Sequence, residues 1–394
     1  MARSLFLACL PLLLLPAALP LAAQAPVLEA LAKGKASLEL RTRYEHVEDQ
    51  AFTAPADHKT ANAFTNRTLL GLETGELFGV KANLQFASVT ALGEERYNSG
   101  LNGRTQFASV QDPGLSTVLQ AFVAWKGLKV GRQMLAVDNQ RFIGAGAWAQ
   151  LPKSYTGVTL QQNFGLKWFE LHAGHLTRLQ SSTGINKEMK AEFLRLRFQP
   201  WTFLAVTPFI FAVDETTAPA TSHQHQGLRL DGKWSGLLYE ASFARQRRYK
   251  DAKTTPERLY RQGSLGYGQK TWSIKAVHEE LEGGFDTPLS SLHGFYGWSD
   301  RLAKTPAAGL VDQFIQGEMK RWGFTFEVQA HRFKAYAGSQ AYGSELDVSV
   351  THPITRNLTF LLKAADYRAD AGAPASGSLN KDLRRFWLMT TFKY

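Results

Sequence analysis

Catalysis needs nucleophiles, bases or metal ligands held close together, and this 394-residue chain offers few such groupings. His223-x-His225, near Asp214 and Glu215, has the residue types of a metal site, but a solvated polar loop produces the same pattern and is the reading adopted. His278-Glu279-Glu280 places a base beside acids without a helix to present them or a nucleophile partner. Gly263-Ser264-Leu265-Gly266 is not a nucleophile elbow. No Ser/His/Asp spacing, phosphate-binding loop or cysteine motif stands out, so no catalytic residue, metal or cofactor is assigned.

What recurs instead is a charge at every second residue. Glu39, Arg41, Arg43 and Glu45 alternate with Leu38, Leu40, Thr42 and Tyr44. Arg195 and Arg197 alternate with Leu194, Leu196 and Phe198, and Arg229 and Asp231 with Leu228 and Leu230. Lys363 falls between Leu362 and Ala364. This period of two is that of a strand with one wet face. Arg41, Arg43, Arg195, Arg197, Arg229, Lys233, Lys275 and Lys363 share the polar parity and are expected to line an aqueous interior. Glu39, Glu45, Glu73, Glu170, Asp231, Glu240, Glu279, Glu327, Glu345 and Asp347 share it too, so the wall is nearly balanced. Segregated signs on such a wall set up a transverse field, and charge rings of this type govern selectivity in pores. Much of the net charge of +11 then falls in loops. Arg245, Arg247, Arg248, Lys250 and Lys253 form the clearest cluster, suited to lipopolysaccharide phosphate at an outer rim.

The elements that must carry these residues are short, amphipathic strands joined alternately by short turns and long polar loops. The turns are expected at Thr74–Leu77, Lys126–Gly127, Asn163–Gly165, Gln199–Trp201, Ser235–Gly236, Gly268–Lys270, Met319–Lys320 and His352–Asn357. The loops are expected at 48–65, 91–116, 136–155, 177–189, 214–225, 249–258, 282–309, 333–341 and 368–382. The pattern predicts an all-β fold: a transmembrane antiparallel up-and-down β-barrel of about 18 strands, or 16, with short periplasmic turns and long extracellular loops. A mean hydropathy of −0.23 suits it, because polar lumen residues offset lipid-facing ones.

Arg3, the apolar run Leu5 to Leu15 and the small-x-small motif Ala23-Gln24-Ala25 read as a signal peptide over residues 1–25, leaving 26–394 as the barrel domain in the bacterial outer membrane. Cys9, the one cysteine, lies within that signal. No later apolar run reaches the ~18 residues of a helical span. Phe386, Leu388, Phe392 and Tyr394 share one parity of the last strand and resemble the C-terminal signature read by the barrel-assembly machinery. The last strand is expected to pair with the first, abolishing the sheet edge.

Three blocks carry a family resemblance. The first is G-R-Q-M-L-A-V-D-N-Q-R-F-I-G-A-G-A-W-A-Q at 131–150, followed by Y-T-G-V-T-L at 155–160. The second is F-D-T-P-L-S-S-L-H-G-F-Y-G-W-S-D at 285–300, with T-P-A-A-G-L-V-D at 305–312. The third is Y-G-S-E-L-D at 342–347. Together they resemble the alginate-export outer-membrane family over essentially the whole mature chain, which implies an 18-stranded barrel and diffusion of anionic or sugar-like solutes. The Ala330-His331-Arg332-Phe333 stretch departs from that pattern, with a basic residue where relatives carry an acidic one.

Within the first block, Arg132 opens a run that becomes a loop, and Arg141 and Trp148 are set to fold inward. A guanidinium pairs with a carboxylate and an indole stacks on a pyranose. The rival reading is a tightly packed extracellular loop held by an Arg–Asp138 pair. In the second block, Phe285, His293, Tyr296, Trp298 and Asp300 are constriction-loop candidates, because so many aromatics in a loop need burial. The expected function is an outer-membrane channel for passive diffusion of small hydrophilic, anionic or sugar-like solutes, alginate or uronate among them, without enzyme activity. Its partners would be outer-membrane lipid, lipopolysaccharide and the assembly machinery; an exported chain makes nucleic acid the poorest partner. The alternatives are a barrel hydrolase acting on lipid or peptide, with His278 and His293 as its bases, or a plugged structural or adhesive barrel.

Overall fold

The computed structural model describes residues 21–51, 59–215, 221–250, 252, 256–374 and 378–394. Residues 1–20, which carry most of the expected signal peptide, and Lys253 of the basic cluster lie outside the described residues.

A helix, α1 (Leu21–Ala32), precedes the strands. They run β1 (Lys35–Asp49), β2 (Ala61–Glu73), β3 (Val80–Ala91), β4 (Leu115–Trp125), β5 (Leu128–Gln133) and β6 (Ser154–Gln162). Next come β7 (Phe169–Gln180), β8 (Asn186–Trp201), β9 (Leu204–Asp214), β10 (His223–Trp234), β11 (Leu237–Arg248) and β12 (Arg258–Gly268). The last six are β13 (Trp272–Leu281), β14 (Leu310–Arg321), β15 (Phe324–Lys334), β16 (Ala341–Pro353), β17 (Leu358–Ala369) and β18 (Leu383–Lys393). Each pairs antiparallel with its neighbours in sequence, and β18 pairs with β1, so the eighteen described strands form one closed cylinder. At the seam Thr42 stands opposite Thr390. Tyr394 N–H donates to Leu38 O at 2.8 Å and Leu38 N–H to Tyr394 O at 3.0 Å. Closure joins the first strand to the last and removes the terminal edges of the sheet, which is the condition for spanning hydrocarbon with strands.

The pleat sorts the side chains. On β1, Leu40 is exposed while Arg43, Glu45 and Val47 are buried inside; on β2, Phe64, Leu70 and Leu72 face out while Thr65, Arg67 and Leu69 face in. The tight turns put two residues at positive φ, as at Lys126-Gly127 (44° and 86°), Ser235-Gly236 (47° and 88°) and Trp322-Gly323 (54° and 79°). That backbone twist matches the twist of the strands it joins.

Two turns fall later than the sequence suggests. Gln199–Trp201 belongs to β8, which carries a bulge there, and the chain reverses at 202–203. Met319–Lys320 belongs to β14, and the reversal is at Trp322-Gly323. An aromatic in place of the usual Asn or Asp hid the second. The 177–189 stretch contracts to a connection over 181–185, because the polar ends of β7 and β8 stay paired, as in Arg178 opposite Glu188. β5 is only six residues long because the chain leaves the wall after Gln133.

All nine tryptophans are described. Trp125, Trp168, Trp201, Trp234, Trp272 and Trp322 cluster at the short-turn end, between 41% and 74% exposed. They form the interfacial girdle of a membrane barrel. Trp148, Trp298 and Trp387 are inside.

Candidate functional site

The connection from β5 to β6, residues 134–153, folds into the cylinder instead of standing above it. Its far side is clamped to β1 and β2 by three arginines. Arg41 Nη1 donates to Ala147 O at 3.0 Å, Arg43 Nη1 to Trp148 O at 3.0 Å and Arg67 Nη1 to Ala149 O at 3.1 Å. Arg43 also grips Asp112 with one nitrogen, at 2.6 and 2.8 Å, and Arg67 pairs with Glu39. Gln150 Nε2 returns to Thr65 Oγ1 at 3.0 Å. Carbonyls left bare by an irregular loop are expensive where packing shields them from water, and these guanidinium donors satisfy them.

The connection from β13 to β14, residues 282–309, enters from the opposite wall. Trp298 N–H donates to Asp347 at 3.1 Å, and Ser299 N–H and Oγ donate to Glu345 at 2.7 and 2.6 Å. Gly297, at φ 80°, makes room for this: a Cβ there would lie 2.4–2.7 Å from the Glu345 carboxylate. Arg141 joins the two loops. It is 1% exposed; Nε donates to Glu279 at 3.0 Å and Nη1 to Thr287 Oγ1 at 3.1 Å. Its guanidinium lies over Tyr260, Phe295 and Tyr296 at 5.2, 4.8 and 4.7 Å. Beside it Phe142 packs among Phe209, Phe211, His225 and Tyr260, and Phe285 stacks on Tyr260, a core built inside the barrel.

The loops meet again at Lys363 on β17. Its Nζ sits 3.7 Å from the ring centre of Trp298, 4.2 Å from Trp148 and 5.6 Å from Trp387. It is 2.9 Å from His293 Nε2. His293 stacks on Trp148 at 4.5 Å and 5°, and its Nδ1 lies 3.1 Å from Asp300. Burial, reinforced by Lys363, holds the His293 imidazole down to about 4, so it is neutral at pH 7. Burial works against the Asp300 carboxylate, yet His293 beside it brings it below the usual range. Burial also pushes the Lys153 amine down to about 8, where it donates to Ser290 O at 2.6 Å.

Between the loops and the wall lies a cavity of about 850 Å³. Of the charged side chains described around it, Arg43, Lys153, Lys275, Lys363 and Arg385 are cationic and Glu45, Asp112, Glu240, Glu279, Asp300 and Glu327 anionic. Arg43 and Arg385 on β1 and β18 are met by Asp112 and Glu45, and Lys275 on β13 stands among Glu240, Glu279 and Glu327 of β11, β13 and β15, so the two signs are interspersed around the cavity. Gln262, Gln316 and Gln329 add carboxamides, the latter two donating to Glu327 at 2.8 and 3.0 Å.

Of the residues singled out from sequence, Arg43, Trp148, His293, Tyr296, Trp298 and Asp300 line this cavity. Arg41 is spent on the loop clamp. Arg141 is buried behind the cavity wall, and its acidic partner is Glu279, while Asp138 pairs with Arg195 at 2.7 Å. Arg195 also pairs with Glu170, Arg197 grips Asp231 at 2.9 and 3.0 Å, and Arg229 meets Glu240 at 3.0 Å. These three are part of a cross-strand ion-pair ladder in the wall and do not border the cavity. Lys233 is exposed beside Trp234 at the short-turn end, away from the cavity. Phe285 is in the Phe142 core. Arg132 fills a gap in the wall: β4 loses its β5 partner above Ala121, and Nη1 donates to the Val118 carbonyl at 2.9 Å and Gln180 at 2.8 Å. Phe386 and Leu388 face outward on β18, and Tyr394 is 81% exposed.

His223 and His225 are buried on β10, not in a solvated loop, with His225 packed against Phe142 and Phe285. Among the described residues no cluster has the make-up of a metal site. His278 faces outward with Ile274, bonding Glu280 at 2.9 Å, whereas His293 is inside. Sequence reading missed Arg67 and Trp387 as parts of the site; each shares the inward parity of its strand, and Trp387 shares it with Arg385, a signal that was available.

The sequence matches the Alginate export family over residues 35–276. No curated protein matches it. Solved structures with the same fold include Acinetobacter baumannii OccAB2, 14% identical, covering 93% of this chain and 99% of that one at a TM-score of 0.73. Pseudomonas aeruginosa OccK3 (OpdO) is 14% identical over 93% and 97% at 0.69, and OccD3 (OpdP) of the same organism 15% over 93% and 92% at 0.67. The chain therefore belongs to the Alginate export family and is an 18-stranded outer-membrane β-barrel of channel architecture.

Proposed function

We propose that the barrel conducts small hydrophilic solutes by passive diffusion, with sugar-like and carboxylated molecules, uronates among them, as its range. The observation that carries this is the meeting of two inward loops around a cavity of about 850 Å³ lined by charged, carboxamide and aromatic side chains, a volume that suits a solute of one or two sugar rings. Lys275 faces it without an acidic partner among the described residues, a free cation for a carboxylate. Gln262, Gln316 and Gln329 offer hydrogen bonds to hydroxyls, and Phe295 and Tyr296 offer ring faces. The near balance of charge favours weak ion selectivity over the strongly cationic throat that a polyanion would use.

Liposome swelling tests this: glucuronate and neutral hexoses should enter, with Lys275→Gln slowing glucuronate alone. Equal entry of glucuronate in both proteins would remove Lys275 from the account, and failure of all solutes to enter would remove the channel.

Arg245 and Arg247 project outward above Phe243 and are tied to Glu257, with Lys250 on Asp214 at 2.8 Å; lipopolysaccharide phosphate would compete with those acids. Export by the N-terminal segment 1–25 and insertion through the Phe386–Tyr394 pattern complete the proposal.

A further inference from the structure

We propose that His293 is the gating residue of the lumen, a latch that joins the two inward loops through Lys363 when the imidazole is neutral and releases them when it is protonated. The inference rests on the channel reading above.

The geometry defines the latch. Asp300 lies on His293 Nδ1 at 3.1 Å, so in the neutral ring that nitrogen carries the proton and donates to the carboxylate. Nε2 is then the acceptor, and the Lys363 amine, a donor in either charge state, points at it from 2.9 Å. Protonation places a second N–H on Nε2, directly facing the N–H groups of Lys363. A hydrogen bond becomes a donor–donor collision, with two like charges at contact when the amine is also charged.

That bond lies at a junction of the two loops and the wall. His293 belongs to the 282–309 loop and stacks flat on Trp148 of the 134–153 loop. Lys363 belongs to the wall and touches both Trp148 and Trp298. Loss of the His293–Lys363 contact therefore loosens both loops at once. The other charged groups around the ring do not cancel the effect. Arg385 on β18 adds positive potential, and its guanidinium is held by Glu45 at 2.9 Å. Arg43 of β1 covers Trp148 and is neutralised by Asp112. Glu327, Glu345 and Asp347 on β15 and β16 face Lys363, and Glu345 and Asp347 already accept loop hydrogen bonds. Asp300 is left as the acid that meets the charged ring, and it already holds the ring on its other nitrogen. The depressed proton affinity of His293 agrees with this packing and sets release on the acidic side of neutrality.

The experiment is single-channel conductance of the full-length barrel at pH 7 and pH 4, for wild type, His293→Phe and a disulfide-trapped Gln140→Cys/Ser291→Cys variant that ties the loops together. Phenylalanine keeps the stack on Trp148 and cannot be protonated. Wild type should gain at least twofold in conductance, or in open-state fluctuation, on acidification. His293→Phe lacks the Nε2 acceptor, so at pH 7 it should already show the conductance of acidified wild type and stay flat to pH 4, and the trapped variant should lose the response until it is reduced. A wild-type conductance that ignores pH, or a His293→Phe variant that responds as wild type does, overturns the latch while leaving the channel standing. Absence of conductance in folded protein at both pH values overturns the channel reading itself.

Discussion

The barrel uses tryptophan in two places to opposite ends. Six indoles ring the short-turn end of its outer surface, at least 41% exposed, each beside a turn. Three lie inside around Lys363, where Trp387 is fully buried and Trp298 is 6% exposed. At the rim an indole has an apolar body and one N–H to place at the water–lipid boundary, and its neighbours hardly matter. Trp125 and Trp322 at the rim lie under Lys126 and Arg321, their own sequence neighbours, whereas in the box each indole meets groups from distant parts of the chain: Trp148 the Arg43 and Lys363 cations and the His293 ring, Trp298 the Lys363 amine and a backbone bond to Asp347. The outer belt is built largely by composition and the inner box by contacts between distant parts of the chain. Substitutions should therefore be tolerated at the first and damaging at the second.

The largest effect is expected beside the box. Arg141→Ala strands the Glu279 carboxylate in a buried setting and severs the two loops, a loss of about 3–5 kcal/mol. Urea unfolding in micelles should show it, and limited proteolysis should cut within 134–153 and 282–309. Arg141→Lys should rescue little, since one ammonium cannot reach Glu279 and Thr287 while lying flat on Phe295 and Tyr296. Trp387→Ala comes next, at about 3 kcal/mol for a fully buried indole, with noisier channel openings as Lys363 loses one wall of its box.

A pH effect should follow, smaller and specific to the box. His293 has a folded-state proton affinity of about 4, below the 6.5 of a free imidazole, so the unfolded chain binds the extra proton between those values. Stability conferred by the loop junction is complete above pH 6.5 and declines as pH falls toward 4. The urea midpoint of wild type should drop over that window by more than that of His293→Phe. The smallest effect is expected on the girdle: Trp322→Ala, 74% exposed, should change stability by about 0.5 kcal/mol and leave conductance unaltered. A Trp322→Ala loss as large as that of Trp387→Ala would erase the distinction between the two regions.

The fold was legible because a membrane barrel repeats one instruction, alternation with short turns, and Leu38 to Glu45 or Leu194 to Phe198 state it plainly. Errors came where local chemistry mimicked another element. Pro200 and Trp322 disguised the turns, and the charges of Arg178 to Glu188 passed for loop when they were a paired hairpin. The site was legible only in outline. Parity puts Arg41, Arg43 and Arg195 inside, but parity cannot say that Arg41 would be consumed by a loop carbonyl or Arg195 by Asp138. Arg141 shows the limit best: its partner Glu279 lies 138 residues away, and only the closed cylinder brings the two together.

The central claim, a water-filled lumen narrowed by two docked loops, is tested most directly by reconstituting the folded barrel in a planar bilayer and measuring conductance and reversal potential in a salt gradient. The account predicts small, discrete openings with only weak discrimination between cations and anions, and larger openings for Arg141→Ala. A folded, heat-modifiable protein that passes no current, or whose openings are identical in wild type and Arg141→Ala, would contradict it.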